Sequence, residues 1–391
     1  MVCSAVLAVP TSALTAMTDL RIDPGIPQDV INALDSAIRS RTSGILIPGL
    51  LFGFRVGDSM GILAYGLADR EEKRQMSVDD VFYVGSVTKA LTAAAVFRLM
   101  EEEELSLEDS VAELVSGAPD SWSGVTLEHL LTHTSGIPAY ILTDEGQALR
   151  WTTGPVSLDT ILGIVSELPL DFPAGDRWNY TNTNFFLLGH AIEASSGLAY
   201  GDFMAARVFG PLGMTHSGYD ETGRPAGLVT AYYLPDEPGA TFEVYPPANV
   251  SLVHGAGGVH STVDDLLGFF PTLYGGELLA PASVALMMAP FYTAASLPVS
   301  DKYGYGCMVW EDDDDDLPFR VGHLGQLHGN LTLVQYMPEE DVSLVLYSNS
   351  YDAMAVLEPL RSMPSGRRIP ALHAELAQIV LEFARSLNGS P

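Results

Sequence analysis

The stretch Gly85–Lys89, which reads Gly-Ser-Val-Thr-Lys, is followed directly by an Ala-rich apolar run from Ala90 to Met100. This pattern predicts a buried helix with Ser86 and Lys89 at its start. Because three residues make about one helical turn, the two side chains share a face and can touch. A buried amine loses its proton through desolvation and can then serve as the base for a serine hydroxyl. The N–H groups of the helix start can hydrogen-bond an oxyanion at the same place.

A second serine, Ser59, lies in a motif that is typical of another class of serine hydrolase. Gly57–Gly61 reads Gly-Asp-Ser-Met-Gly and matches the nucleophile elbow Gly-x-Ser-x-Gly, which requires a strand, a sharp turn and then a helix. Here apolar segments typical of strands flank the motif on both sides. We therefore expect a hairpin turn, and Ser86 rather than Ser59 as the nucleophile.

Composition excludes several classes of partner. The 391 residues are 47% hydrophobic and only 17% charged, and the formal net charge is −30. Such a chain can bury a large core, but it repels nucleic acid and anionic membranes. No uninterrupted apolar run reaches the ~18–20 residues of a spanning helix. We expect no nucleic-acid and no membrane partner, and the sequence leaves the oligomeric state open.

The first 16 residues are small and apolar, but no Lys or Arg precedes them, so they make a poor signal peptide. This favours a cytoplasmic protein over a secreted one. We treat residues 1–20 as a loose or non-native extension and residues 21–391 as a single domain. The two cysteines, Cys3 and Cys307, lie far apart in the sequence, and we expect no disulfide between them.

The order of elements predicts an α/β (α+β) architecture. An amphipathic helix over 27–40 is followed by paired strands at 50–56 and 62–66, and strand patterns return at 319–321, 331–336 and 342–347 before a final helix over 370–387. Helical patterns dominate between these two groups of strands. We therefore expect an antiparallel sheet from residues 21–85 and 299–391, terminal helices on one face, and a helical lobe from residues 86–298 on the other.

Two further clusters complete the candidate site. Tyr180-x-Asn182 lies in a turn-rich segment before a predicted helix; a phenol near an ammonium ionises more readily and could shuttle a proton, and the amide can bind a substrate carbonyl. His323-x-Gly325 lies on a predicted strand, where Gly325 would admit a substrate to the backbone. The N–H of Gln326 could then pair with that of Ser86 as an oxyanion hole.

The ordered set Ser86-x-x-Lys89, Tyr180-x-Asn182 and His323-x-Gly325 resembles the serine β-lactamase and penicillin-binding-protein superfamily. It is most similar to its D-alanyl-D-alanine carboxypeptidases, class C β-lactamases, D-aminopeptidases and family VIII esterases. The resemblance covers nearly the whole chain and includes scaffold turns at 130–136, 209–214, 256–259 and 303–306. It implies the β-lactamase-like fold, no cofactor and an acyl-enzyme mechanism. Ser86 would attack, Lys89 and Tyr180 would move protons, and His323 would stand where some relatives have a lysine.

Two departures from these relatives narrow the expected substrate. Leu324 replaces a hydroxyl residue that binds a substrate carboxylate, and the stretch 307–316 supplies no arginine. We therefore expect a serine hydrolase for carboxylic esters or small amides. The alternatives are a D-amino-acid amidase or aminopeptidase, a D,D-carboxypeptidase or β-lactamase, an acyltransferase, and a penicillin-binding-like sensor that stays acylated.

Histidines four residues apart, His129 and His133, could in principle bind zinc on a helix. The general-base Glu of His-Glu-x-x-His is absent, because position 130 is leucine. We expect two structural histidines and no metal site. The run Gly255–Gly258 lacks the Gly-Lys-Ser/Thr that follows in a phosphate loop, so we expect no phosphate site there either.

Overall fold

Strands from both ends of the chain form one antiparallel sheet. The computed structural model describes residue 14 and residues 16–221, 223–237, 240–293, 302–311, 317–354 and 371–387. Within these residues the sheet has ten strands, in the order β1-β3-β2-β14-β13-β12-β11-β10-β9, with β4 paired to β3. The strands are β1 (Met17–Ile22), β2 (Gly49–Val56), β3 (Ser59–Asp69), β4 (Arg74–Gln75), β9 (Tyr292–Thr293), β10 (Lys302–Tyr303), β11 (Met308–Trp310), β12 (Arg320–Leu327), β13 (Asn330–Met337) and β14 (Val342–Ser348).

Two small sheets lie outside this order. They pair β5 (Phe82–Tyr83) with β8 (His260–Ser261) and β6 (Tyr232–Tyr233) with β7 (Glu243–Val244). The helices of the described residues are α1 (Gln28–Thr42), α2 (Thr88–Glu101), α3 (Val111–Leu114), α4 (Leu127–Leu131), α5 (Asp144–Leu149), α6 (Leu158–Val165), α7 (Asn182–Ser196), α8 (Tyr200–Met204), α9 (Val250–Val253), α10 (Val263–Tyr274), α11 (Pro281–Met288) and α12 (Leu372–Leu387).

Alternation along the central strands divides the core in two. On β2, Leu50 and Phe52 pack with α1 and α12, whereas Leu51 between them belongs to the core of the helical lobe. On β14 the same alternation separates Leu346 from Val345. Successive residues of a strand point to opposite faces, so each central strand contributes to both layers. The predicted α/β (α+β) architecture, with terminal helices on one face and a helical lobe on the other, is confirmed.

The hairpin around Gly57 is also confirmed. Val56 pairs with Ser59 across the turn, and Gly57 adopts a positive φ of 55°. Ser59 therefore begins strand β3 and does not precede a helix, which removes the structural context of a nucleophile elbow.

The N-terminal segment corrects one expectation. Residues 17–20, assigned above to a loose extension, form part of the edge strand β1, in which Leu20 pairs with Leu63 of β3. Leu14 is buried in the same apolar cluster as α1 and α12. Residues 1–13 and 15, the acidic run 312–316 and the first residue of the predicted C-terminal helix lie outside the described residues. Among the helices of the described residues, none has both the length and the hydrophobicity to span a membrane.

Candidate active site

Ser86 lies in a 3-10 turn, Gly85–Val87, directly before the buried helix α2. The turn depends on two glycines. Gly85 has a φ of +55°, and a Cβ atom on it would lie 2.6 Å from the backbone nitrogen of Gln326. A Cβ atom on Gly325 would lie 1.9 Å from the carbonyl oxygen of Val84. The backbone of β12 therefore packs directly against the turn that presents Ser86.

The edge of β12 explains how the Gln326 amide reaches this turn. β11 pairs with β12 only at Arg320, Val321 and Gly322. Beyond that point β12 continues to pair with β13, while its other edge approaches the serine turn. A Cβ atom on Gly325 would lie 3.1 Å from the backbone nitrogen of Ser86, and both Ser86 and Gln326 line one cavity. This is the arrangement that an oxyanion hole of two backbone N–H groups needs.

Lys89 is fully buried, and its partners are all neutral. Its Nζ lies 3.0 Å from Ser86 Oγ, 2.9 Å from Asn182 Oδ1 and 2.7 Å from the carbonyl oxygen of Ala256. Burial lowers the pKa of Lys89 well below its usual value. The two carbonyl-type oxygens accept the two hydrogens of a neutral amine, because they cannot donate. The lone pair of Nζ is then left for the hydroxyl of Ser86, as a general base requires.

Tyr180 and Asn182 reach the site from the start of α7, which begins at Asn182, earlier than the sequence pattern indicated. The side chain of Thr181 caps this helix by accepting a hydrogen bond from the Thr183 N–H. The ring centre of Tyr180 lies 4.9 Å from Lys89 Nζ. The helix start thus places both the amide and the phenol next to Lys89.

The charge state expected for Tyr180 needs correction. Burial raises the pKa of its phenol, and a hydrogen bond with Ser86 lowers it only in part. A lysine that is itself neutral supplies no positive charge to favour a phenolate. Tyr180 is therefore a neutral phenol in contact with Ser86, and what it can offer is an O–H proton.

His133 hydrogen-bonds the start of α7. Its Nδ1 accepts hydrogen bonds from the Asn184 side chain at 3.1 Å and from the Thr181 N–H at 3.4 Å. Its ring centre lies 4.4 Å from that of Tyr180. His129 instead bonds Thr126 at the start of α4. The two histidines thus hydrogen-bond the starts of two different helices, and these contacts support a structural role for each.

His323, expected from its motif to be one of the substrate-binding residues in the place of a relative's lysine, is not positioned to bind a substrate directly. It is fully buried; its Nδ1 donates to the carbonyl of Leu324 at 2.6 Å and its Nε2 accepts from the Tyr303 hydroxyl at 3.1 Å. Burial lowers the pKa of His323 to about 3. A neutral imidazole with both nitrogens occupied cannot replace a lysine ammonium. It holds β12 and Tyr303 in place behind Tyr180.

The cavity in front of Ser86 has a volume of about 270 Å³. Asn182 and Gln326 line it beside Ser86, as predicted for substrate-contacting residues. Leu324 does not line it, because its side chain is buried in the cluster shared with α1 and α12. The other walls contain residues that lie outside the sequence motifs, among them Arg150, Trp151, Tyr245, Leu252, His328 and Tyr351.

A family model described as Beta-lactamase matches residues 34–360, which is most of the chain. The chain belongs to the Beta-lactamase family. Its fold is that of the Beta-lactamase-fold serine hydrolase superfamily. Within this family, Penicillin-binding protein 4* of Bacillus subtilis (strain 168) is 28% identical over 318 residues, covering 77% of this chain and 68% of that protein. Esterase EstB of Burkholderia gladioli is 29% identical over 283 residues, covering 64% of this chain and 71% of that protein.

Among solved structures of the Beta-lactamase family fold, a D-stereospecific amidohydrolase from Streptomyces sp. superimposes with a TM-score of 0.69. It is 26% identical and covers 81% of this chain and 94% of its own. The relatives thus include a penicillin-binding protein, an esterase and an amidohydrolase. The family model identifies the superfamily, whereas the names of these relatives differ in the activity that they state and therefore indicate no single substrate.

Proposed function

We propose that the protein is a serine hydrolase that cleaves small carboxylic esters or amides through an acyl-enzyme. The observation that supports this most is the 3.0 Å contact between Ser86 Oγ and the buried Nζ of Lys89, whose pKa is lowered by burial. A base and a nucleophile within hydrogen-bond distance form the minimal unit of covalent acyl transfer. The similarity to an esterase and an amidohydrolase supports the same reaction class.

The proposed reaction has two halves. Ser86 Oγ attacks the substrate carbonyl while its proton passes to Lys89, and the oxyanion accepts hydrogen bonds from the Ser86 and Gln326 N–H groups. When the tetrahedral intermediate collapses, the phenol of Tyr180 donates its proton to the departing alcohol or amine and is reprotonated from Lys89. Water then attacks the acyl-enzyme and gives a proton to the same pair. When this second intermediate collapses, the pair returns that proton to Ser86 Oγ, so that the carboxylic acid leaves and the free serine is restored.

A D-amino-acid amidase is the second candidate, because one of the similar structures is a D-stereospecific amidohydrolase. An acyltransferase would share the first half-reaction, and a penicillin-binding-like sensor would stop after it. A panel of 4-nitrophenyl esters, D-amino-acid amides, a D-Ala-D-Ala peptide and a chromogenic cephalosporin separates these possibilities. Sustained turnover supports an enzyme, and a burst of one product per chain supports the sensor.

The nucleophile is tested with matched serine variants. Ser86→Ala should lower kcat/KM for the best ester by on the order of 10⁴-fold or more, because no other group can form the acyl-enzyme. Ser59→Ala should stay within about twofold of the wild type, since a surface change outside the site has little effect. Labelling with a fluorophosphonate followed by peptide mass spectrometry should find the adduct on Ser86. An adduct on Ser59 would overturn the assignment.

A further inference from the structure

The charge that lines the cavity is opposite in sign to the net charge of the protein. The chain has 49 Asp and Glu residues against 19 Lys and Arg residues. Among the described residues that line the cavity there is no Asp or Glu, and Arg150 is the only Lys or Arg. Arg150 directly follows helix α5 of the helical lobe. Arg150 belongs to none of the sequence motifs, so only its place in the fold brings it to the cavity.

Arg150 is available to a ligand. Within the described part of the chain it forms no ion pair with a carboxylate, in contrast to Arg41 and Arg74. Its charge nevertheless acts on the cavity wall. Burial is the main cause that lowers the pKa of His328, and Arg150 lowers it further. Burial raises the pKa of Tyr351, and Arg150 opposes that rise. The guanidinium therefore lies near two other residues of the same wall.

The rest of the wall is mostly apolar or aromatic, with Ile141, Trp151, Leu252, Val253 and Leu327 among its residues. A substrate ammonium would find no carboxylate partner on the described part of this wall, and Arg150 would repel it. A carboxylate would meet a planar donor that binds it with two parallel hydrogen bonds. The wall thus favours an anionic ligand over the cationic end of an amino-acid amide.

We propose that the substrate carries a carboxylate, separated from the scissile carbonyl by a short apolar spacer, and that Arg150 binds it. The inference rests on the hydrolase function proposed above and narrows its substrate class. It also corrects the expectation that a substrate carboxylate has no cation in this site. The cavity of about 270 Å³ is slightly smaller than most ligand pockets, which typically span ~300–1,000 Å³, so the spacer is a few carbons long.

Matched esters test the proposal. Mono-4-nitrophenyl glutarate carries a free carboxylate in the acyl part, and its methyl ester is the neutral counterpart; a 4-carboxyphenyl ester and its methyl ester place the same pair in the leaving group. In the wild type, one of the two carboxylate esters should exceed its neutral counterpart in kcat/KM by about tenfold. Arg150→Gln should remove that advantage through KM and leave the neutral ester within about twofold. Arg150→Lys should keep part of it. Arg39→Gln on α1, on the opposite face of the sheet, is the control for net charge.

A binding measurement separates this proposal from the proposed function. Calorimetry on Ser86→Ala should show that monomethyl glutarate binds at least about tenfold more tightly than dimethyl glutarate, and that Arg150→Gln in the same background removes the difference. Binding that depends on Arg150 without any ester turnover would support the anion site and overturn the hydrolase. Turnover with no preference for either carboxylate, or with equal losses on charged and neutral esters in Arg150→Gln, would overturn the anion site alone.

Discussion

Two ionisable clusters meet at the short turn His254–Ala256, and they differ in charge: one is built around a neutral amine and the other around a charged carboxylate. The lysine cluster consists of Ser86, Lys89, Asn182 and the Ala256 carbonyl. The glutamate cluster consists of His190, Glu193 and His254, with Glu193 Oε2 2.6 Å from His190 Nδ1 and Glu193 Oε1 3.6 Å from His254 Nε2. Lys89 is buried without a counter-ion, and its pKa falls.

Glu193 is also partly buried, but its environment has the opposite effect. Burial raises its pKa, whereas the hydrogen bond with His190 and the nearby imidazole of His254 lower it by more, so that the net pKa lies well below the usual value. The Tyr200 N–H adds a further hydrogen bond at 2.9 Å. Burial alone therefore does not decide which group keeps its charge. The presence or absence of a charged or donating partner does.

The first test removes the base from the lysine cluster. Lys89→Ala should lower kcat/KM by about 10³–10⁴-fold or more, and Lys89→Arg should not restore it, because a guanidinium stays protonated. Tyr180→Phe should also be severe, and the double variant should be little worse than the worse single one, since the two groups move the same protons. Steady-state kinetics with the best ester measures all four, with Lys73→Ala as the surface control. Losses that add on a logarithmic scale would contradict a shared role.

The second test gives the lysine cluster the counter-ion that it lacks. Asn182→Asp would place a carboxylate where Oδ1 now lies 2.9 Å from Lys89 Nζ. An opposite charge at this distance raises an amine pKa by ~1–3 units, so kcat/KM at pH 7 should fall by about 10–100-fold and recover as the pH rises. In the wild type, activity should also rise with pH, but through a pKa well below the usual value for a lysine. Asn182→Ala should lose activity without raising the pKa at which activity appears. If that pKa is also unchanged in Asn182→Asp, Lys89 is not the titrating base.

The third and smallest test removes the charge from the glutamate cluster. A carboxylate with a depressed folded pKa stabilises the protein above its unfolded pKa of about 4.3, and this contribution is lost as the pH falls through the folded pKa. Glu193→Gln should therefore lower the free energy of unfolding at pH 7 by about 1–2 kcal/mol. Urea denaturation should show the gap to the wild type holding steady above about pH 5 and narrowing as the pH falls from about 5 towards about 3. A gap that is constant over this range would mean that Glu193 is not ionised in the folded protein.

The sequence predicted the parts of this molecule that depend on local pattern. The start of α2, the hairpin at Gly57 and the strands on either side of the helical lobe follow from apolar spacing and turn residues, and the structure contains them. Ser86 and Lys89 are three residues apart on one turn, so their contact followed from helix geometry alone.

Features that depend on tertiary placement were missed or misread. The His-x-Gly motif predicted that His323 faces the substrate, but the structure buries its side chain. Its two ring nitrogens contact the Tyr303 hydroxyl and the Leu324 carbonyl, and the first of these contacts depends on the tertiary position of Tyr303. The charge state of Tyr180 depends on whether Lys89 is protonated, which in turn depends on how deeply Lys89 is buried. Arg150 joins the cavity through the path of a loop after α5, and no spacing rule relates it to Ser86.

The pairing of β2 with β14 has a consequence for how the protein is made. Leu50 lies opposite Ser348, so the centre of the sheet closes only after nearly the whole intervening chain has been synthesised. Contacts of such long sequence separation carry a large loop-closure entropy and form slowly. The turn that presents Ser86 emerges early, but the Gln326 amide that completes the oxyanion hole arrives with the last strands. An unfinished or proteolytically shortened chain that lacks β12 therefore holds its nucleophile and base without the means to use them.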